Sequence, residues 1–314
     1  MHILDPTPVR TRLSRCPAHA ATPLRRLSIN GQDLWVKDES ERMGLGSFKA
    51  LGGAYALLRL VEEHGPGATF VTASAGNHGL SVAAGAQVFG AKARVHLATT
   101  VPQAFAERLR AEGAEVVRSG DTYEASVEAA IADAEATGAV HLADGSWPGY
   151  MEPPRLIMEG YTVIAEEMRE IFEQSGEWPD VVYLQAGVGG LAGAVAARIR
   201  ASWAAQPRIV VVEPQAAPCL QRSVAAGAVV TVEGPVSGMG RLDCKTPSLI
   251  AFDILREAAD DFVTVSEDEA DSAVQLLAAQ GLATTPSGAA GLAAWKNIGG
   301  ARPLVILSEG PAGG

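Results

Sequence analysis

Val181-Val182-Tyr183-Leu184-Gln185-Ala186-Gly187-Val188-Gly189-Gly190-Leu191-Ala192-Gly193 decides how the chain folds. Val181–Leu184 is a short apolar run rich in β-branched residues, the pattern of a strand covered on both faces. Glycines follow, and the alanine-rich stretch Gly190–Trp203 then has helical character. The apolar run Val181–Ala197 is broken by Gln185 and four glycines and is too short to cross a bilayer. Strand, glycine turn and helix in that order form the first half of a parallel β-α-β unit.

The same alternation runs along the chain in two series. The first predicts strands at Leu34–Lys37, Thr69–Thr72, Ala93–Leu97 and Glu115–Val117, with helices at Ser47–Glu63, His78–Phe89, Pro102–Glu112 and Thr122–Ala136. The second adds helix Pro154–Phe172, the strand and helix quoted above, and strand Arg208–Glu213. Helix Ser248–Glu257, strand Phe262–Val265, helices Ser266–Ala279 and Ser287–Lys296, and strand Leu304–Leu307 complete it. Pro102 is expected at a first helical position, Thr122 as a cap, and Ser266 with Glu269 as a capping box. The fold class is therefore α/β, with two open, twisted, mostly parallel sheets flanked by helices.

The chain has 314 residues, a formal net charge of −11, 47% hydrophobic residues and 19% charged residues. That balance excludes disorder, and the acidic surplus argues against a nucleic-acid partner. Cys16, Cys219 and Cys244 lie far apart, with no spacing of a metal site or disulfide framework; reduced thiols in the cytoplasm are the simplest reading. Met1–Arg26 carries Arg10, Arg12 and Arg15 where a signal peptide needs an apolar core. No membrane partner is expected.

Three segments invite chemistry. Lys49, in Gly44-Leu45-Gly46-Ser47-Phe48-Lys49-Ala50-Leu51-Gly52-Gly53-Ala54-Tyr55, begins an apolar helix. The helix dipole disfavours a cation there, and Phe48, Ala50, Leu51 and Ala54 bury its stem. A lowered pKa and Schiff-base chemistry are expected, against the plainer reading of a solvated lysine. Thr72-Ala73-Ser74-Ala75-Gly76-Asn77-His78-Gly79 is a strand-to-helix turn whose free N–H groups suit a carboxylate; an ordinary turn capped by Asn77 is the alternative. The loop Gly187–Gly193 suits a phosphate but also fits a dinucleotide fingerprint, with Glu213 ending the next strand as a ribose-binding acid. Thr284–Gly291 and Leu304–Gly310 each place a hydroxyl near glycine in a turn.

Together and in this order these segments resemble the fold-type II family of pyridoxal-phosphate enzymes, from Thr22-Pro23-Leu24 to Ser308. Ser47-Phe48-Lys49 followed by Ser74-Ala75-Gly76-Asn77-His78 is the specific pair, and it outweighs the dinucleotide reading. Within the family the chain is most similar to the diaminopropionate ammonia-lyases. This rests on Phe48–Tyr55, Glu159-Gly160-Tyr161-Thr162, Gln185–Gly189, Val212-Glu213-Pro214, Ser308-Glu309-Gly310, and Asp144 in Ala143-Asp144-Gly145-Ser146-Trp147. One departure stands out. Those lyases carry aspartate before Gly-Asn-His, where this chain has Ala75, and that aspartate takes the α-proton of D-substrates; the departure thus implies L-substrates only, or a different amino acid altogether. The ending Pro311-Ala312-Gly313-Gly314 also differs, and leaves no room for a regulatory domain.

The resemblance implies a large cofactor domain, residues 1–68 and 149–314, a small substrate domain, residues 69–148, and a homodimer. It implies pyridoxal 5'-phosphate joined to Lys49 as a Schiff base, with Lys49 then serving as the general base. Gly187, Val188, Gly189, Gly190 and Leu191 hold the phosphate and Asn77 meets the ring 3′ oxygen. Ser308 meets the ring nitrogen, with Ser287 the fallback. Ser74, Ala75, Gly76 and His78 hold the substrate, a small amino acid, and Asp144 places or protonates the leaving group. The expected reaction is β-elimination, with 2,3-diaminopropionate giving pyruvate and ammonia. A threonine, serine or 3-hydroxyaspartate dehydratase, a β-replacement synthase and a racemase share its early steps. From other classes, an NAD-dependent oxidoreductase and a non-catalytic sensor stand as alternatives.

Overall fold

The computed structural model describes residues 4–311. Met1–Ile3 and Ala312–Gly314, the ends of two stretches read above, lie outside the described residues. In chain order the elements are α1 (Pro6–Leu13), β1 (Leu24–Ile29), β2 (Gln32–Asp38), α2 (Lys49–His64), β3 (Thr69–Ala73), α3 (Asn77–Val88), β4 (Lys92–Leu97), α4 (Gln103–Ala111), β5 (Glu115–Arg118), α5 (Tyr123–Thr137) and β6 (Val140–His141). There follow α6 (Glu152–Ser175), β7 (Val181–Gln185), α7 (Gly190–Ser202), β8 (Arg208–Pro214), α8 (Cys219–Ala226), α9 (Leu249–Ala258), β9 (Asp261–Val265), α10 (Glu267–Ala279), α11 (Pro286–Ile298) and β10 (Pro303–Leu307).

The described strands form two sheets. One runs β1-β2-β10-β7-β8-β9, the other β5-β4-β3-β6. Among these strands only β1 and β2 pair antiparallel, with Leu24 opposite Lys37 and Ile29 opposite Gln32; every other pairing is parallel. Strands β7 and β10 are buried at every position, as strands covered by helices on both faces must be. No described helix is long and apolar enough to cross a membrane.

Helices α2 and α6 cross where glycine faces glycine. A Cβ on Gly160 would lie 2.6 Å from the Leu51 carbonyl oxygen, and one on Gly52 would lie 2.5 Å from the Tyr161 ring. This close approach fixes the start of α2, and with it Lys49. Behind it lies a buried charge cluster. The Arg42 guanidinium reaches Glu39 at 2.7 Å, Glu167 at 2.7 Å and the Ala20 carbonyl at 2.7 Å, and Lys37 reaches Glu167 at 2.6 Å.

The strands and helices predicted above are present, with ends differing by a few residues. Ser266 and Glu269 form the capping box, and Thr122 caps α5. Pro102 stands one position earlier than expected, as the N-cap of α4. Asn77 is likewise not a cap: Gly76 holds that place, which frees the asparagine side chain. Four elements carry no signal strong enough to predict. β1 is an edge strand with mostly polar faces, α1 is short and polar, β6 spans two residues, and α8 is a short helix in an irregular region.

Candidate active site

A cavity of about 520 Å3 opens where the C-terminal ends of the two sheets face each other. Each predicted site residue lines it: Lys49, Ser74, Ala75, Gly76, Asn77, His78, Asp144, Gly187, Val188, Gly189, Gly190, Leu191 and Ser308. The fallback Ser287 does not; its hydroxyl accepts from the Arg241 N–H at 3.1 Å. Glu213 is also spoken for. Its fully buried carboxylate accepts from the Leu220 and Gln221 N–H groups at 2.7 and 2.8 Å, capping α8, and burial pushes it up to about 7. It does not line the cavity, so the dinucleotide reading loses its ribose acid.

Lys49 pairs with Asp144 across the cavity, from the first residue of α2 to the loop after β6. Burial would lower the lysine, but the carboxylate outweighs it and holds the ammonium above its ordinary value. That corrects the lowered value expected from the sequence, where the distant Asp144 partner could not be weighed. Burial likewise acts to raise Asp144, and Lys49 holds it below the ordinary carboxylate range. The ion pair lies beside the Phe48 and Tyr161 rings, 5.3 and 5.9 Å from the Lys49 nitrogen. Tyr161 is buried, and among the described residues its hydroxyl has no hydrogen-bond partner.

The loop carrying Asp144 is held from both sides. The Tyr150 hydroxyl donates to the His141 carbonyl at 2.8 Å and accepts from the Ala143 N–H at 2.9 Å. Ser146 is bonded to Ser248 at 2.7 Å and accepts from the Ile250 N–H at 2.9 Å, at the start of α9. His78 is buried; its Nε2 donates to the Leu142 carbonyl at 2.9 Å, so Nδ1 is left as an acceptor without a partner among the described residues. Burial lowers its pKa, so the imidazole stays neutral.

Opposite Lys49 lies the start of α7. Its N-cap, Gly189, has φ of +96°, and no side chain caps the helix. The first intrahelical bond runs from Gly193 to the Gly189 carbonyl, so earlier N–H groups of the helix have no acceptor within it. A Cβ on Gly187 would lie 2.9 Å from the Cys244 sulfur and 3.1 Å from the Arg241 carbonyl oxygen. A side chain there would collide with these atoms, so only glycine allows the loop to pack this closely. Cys244 lines the cavity, its thiol pushed up to about 12 by burial and by Asp144, while Cys219 is buried and donates to the Gly187 carbonyl at 3.6 Å.

Sequence reasoning gave no role to Tyr123, Glu124, Arg241 or Glu309, which also line the cavity. Tyr123 and Glu124 begin α5, and Arg241 lies in the irregular region after α8, so neither carries a local motif. Glu309 had a signal in Ser308-Glu309-Gly310, since a charged residue directly after a buried strand calls for a partner.

Comparison with known proteins agrees with this geometry. The family profile described as "Pyridoxal-phosphate dependent enzyme" matches residues 16–309. Diaminopropionate ammonia-lyase of Escherichia coli (strain K12) is 33% identical over 261 residues, covering 77% of this chain and 66% of that protein. The chain thus spans just under two thirds of that relative's length. The crystal structure of holo diaminopropionate ammonia lyase from Escherichia coli superposes with a TM-score of 0.87 at 28% identity, covering 97% of this chain and 88% of that one. The crystal structure of a threonine deaminase from T.th. superposes with a TM-score of 0.87 at 29% identity, covering 100% of this chain and 99% of that one.

Proposed function

The chain belongs to the pyridoxal-phosphate dependent enzymes, and from that premise we propose that it is a carbon–nitrogen lyase that eliminates the β-amino group of L-2,3-diaminopropionate. The overall change would be diaminopropionate and water to pyruvate and two ammonia. The observation that carries this is the Lys49–Asp144 pair facing an uncapped, glycine-walled helix start across one cavity.

The residues present fit pyridoxal 5'-phosphate. Uncapped N–H groups at the glycine-rich start of α7, which lines the cavity, suit a phosphate, and the partly buried Lys49 amine suits its aldehyde. When bound, the cofactor supplies an electron sink that acidifies the substrate's α-C–H. Gly187 to Leu191 would hold the phosphate on backbone N–H groups, Asn77 would meet the ring oxygen, and Ser308 the ring nitrogen. A hydroxyl at that nitrogen does not enforce a charge on it, which favours expelling a leaving group over prolonged carbanion chemistry.

Once free as an amine, Lys49 would take the α-proton. Asp144, released from its ion pair as Lys49 changes charge, would hold the departing β-amine and steady its proton. The turn Ser74–Gly76, with neutral His78 behind it, would hold the substrate carboxylate on its backbone N–H groups. Residues 69–148 would act as the substrate-carrying unit and residues 1–68 with 149–314 as the cofactor-carrying one. Ala75 puts no carboxylate on the face where a D-substrate would need a base, so turnover is confined to L-isomers.

A threonine or serine dehydratase is the second reading, supported by the end-to-end match with threonine deaminase. A screen of L- and D-serine, L- and D-threonine, 3-hydroxyaspartate and both diaminopropionates, measuring keto acid and ammonia, separates the two. Diaminopropionate turnover releases twice as much ammonia as keto acid; hydroxyamino acids release equal amounts. Activity on hydroxyamino acids alone would overturn the first reading. We also propose a cytoplasmic homodimer, which sedimentation velocity tests for assembly and cell fractionation for location; a monomer at micromolar concentration would contradict it.

A further inference from the structure

Glu309 is a carboxylate 3% exposed at the cavity wall, outside the set of groups that would hold cofactor or substrate. Its Oε2 accepts from the Asn77 Nδ2 and lies 3.4 Å from the Arg241 Nε. Its Oε1 accepts from the Thr285 hydroxyl, which in turn accepts from the Gly288 N–H at 3.1 Å and caps α11. The main chain is pinned too. The Glu309 carbonyl accepts from the Thr284 hydroxyl at 2.6 Å. On either side, the Phe48 N–H donates to the Ser308 carbonyl at 3.1 Å and the Gly310 N–H to the Gly46 carbonyl at 2.9 Å. The carboxylate is thus tied to the segment that carries Lys49.

An asparagine amide has two ends of nearly equal shape, one a donor and one an acceptor. A carboxylate only accepts. Facing Glu309, the amide must present its NH2 end, because the reverse sets oxygen against an anion. The second N–H is then left for the cavity, which Asn77 lines. Asn77 begins α3, in the layer of the β5-β4-β3-β6 sheet, whereas Glu309 follows β10 of the other sheet. The bond therefore crosses from one sheet's layer to the other.

We propose that Glu309 is a positioning residue: it holds the Asn77 amide in the one orientation that turns an N–H toward the ring oxygen of bound pyridoxal phosphate. This rests on the cofactor reading and on no particular substrate. The side chain of Asn77 alone would be free to flip; Glu309 removes that freedom before the cofactor arrives.

Three variants test it: Glu309→Gln, Asn77→Asp and the two combined. The readouts are the equilibrium affinity for pyridoxal 5'-phosphate, the visible circular dichroism of the bound cofactor, and the thermal unfolding of the cofactor-free protein. Glutamine can present either end to Asn77, so Glu309→Gln should weaken cofactor binding by about tenfold, the size of one charge-assisted hydrogen bond, and change the dichroism. Asn77→Asp brings two carboxylates together and should lower both the unfolding temperature and the affinity. Adding Glu309→Gln to Asn77→Asp should restore the unfolding temperature, because position 309 then donates. Affinity should stay low, because no N–H faces the cavity. Unchanged affinity and dichroism in Glu309→Gln, or a double variant no more stable than Asn77→Asp, would overturn the proposal alone. A wild-type protein that binds no pyridoxal phosphate would overturn the cofactor reading with it.

Discussion

Two opposite charges, Lys49 and Asp144, are held together in the cavity, each only partly exposed. Lys49 stays an ammonium because Asp144 stands beside it, and Asp144 stays a carboxylate for the same reason. Asp144 lies below its ordinary 3.8, so its share of the pair's stability is present above that pH and is lost as pH falls through its folded value. Lys49 lies above its ordinary 10.5, so its share is present below that pH and is lost only as pH rises through its folded value. Capture of pyridoxal phosphate needs the neutral amine. Asp144→Asn removes the main group that opposes burial at Lys49, so the rise of the capture rate with pH should begin at lower pH than in wild type. Stopped-flow absorbance across a pH series reads this directly, and an unmoved profile would show that Asp144 does not set the charge of Lys49.

At the scale of elements, the cavity depends on where helices begin. α2 begins at Lys49, α3 at Asn77, α7 at Gly190 and α11 next to Thr285. The first three bring a side chain or bare N–H groups to the cavity, and the α11 start holds the cavity-wall residue Glu309 through Thr285. Gly189 makes the α7 start possible. With φ of +96°, a side chain there is strained, and its Cβ would lie 2.9 Å from the Ala251 Cβ and 3.0 Å from the Leu220 Cδ1. Gly189→Ala should therefore cost about 2–3 kcal/mol of stability by urea unfolding. It should also weaken pyridoxal-phosphate binding in the protein that remains folded. A folded variant with wild-type affinity would remove the loop from phosphate binding. These starts were legible in the sequence because glycine, proline and hydroxyl residues break apolar periodicity in a local pattern. Arg241 and Tyr123 were not legible, and Glu309 only as a charge in need of a partner, because their place in the cavity comes from contacts between segments far apart in the chain. The Lys49 pKa was misjudged for the same reason: burial is local to its helix, whereas Asp144 comes from the other sheet.

Across the whole molecule, a single buried cluster joins the N-terminal segment, β2 and α6. Arg42, Lys37, Glu39 and Glu167 balance in charge, and they are bonded to one another, to the Ala20 and Thr22 carbonyls and to the Thr22 hydroxyl. Burial would raise Glu167, but Arg42 and then Lys37 hold it below its ordinary 4.5. Its contribution is present above that pH and is lost as pH falls through the lower folded value. Glu167→Gln leaves the cations short of a partner and should cost about 3–5 kcal/mol at neutral pH, with a smaller difference from wild type in acid. Chemical unfolding at neutral and acidic pH checks both parts. The alternation of strands and helices was readable end to end, since parallel strands covered on both faces are near-continuous apolar runs. The cluster was not, because Lys37 and Arg42 carry no local motif and their partner Glu167 comes from a distant helix.

The most direct measurement is borohydride reduction of the protein loaded with pyridoxal 5'-phosphate, followed by peptide mass mapping. The chain offers Lys37, Lys49, Lys92, Lys245 and Lys296 as sites. The account predicts a pyridoxyl group on the Lys49 peptide alone, and none in Lys49→Ala protein. A group fixed on another lysine, or no group on a protein that has bound the cofactor, would contradict it.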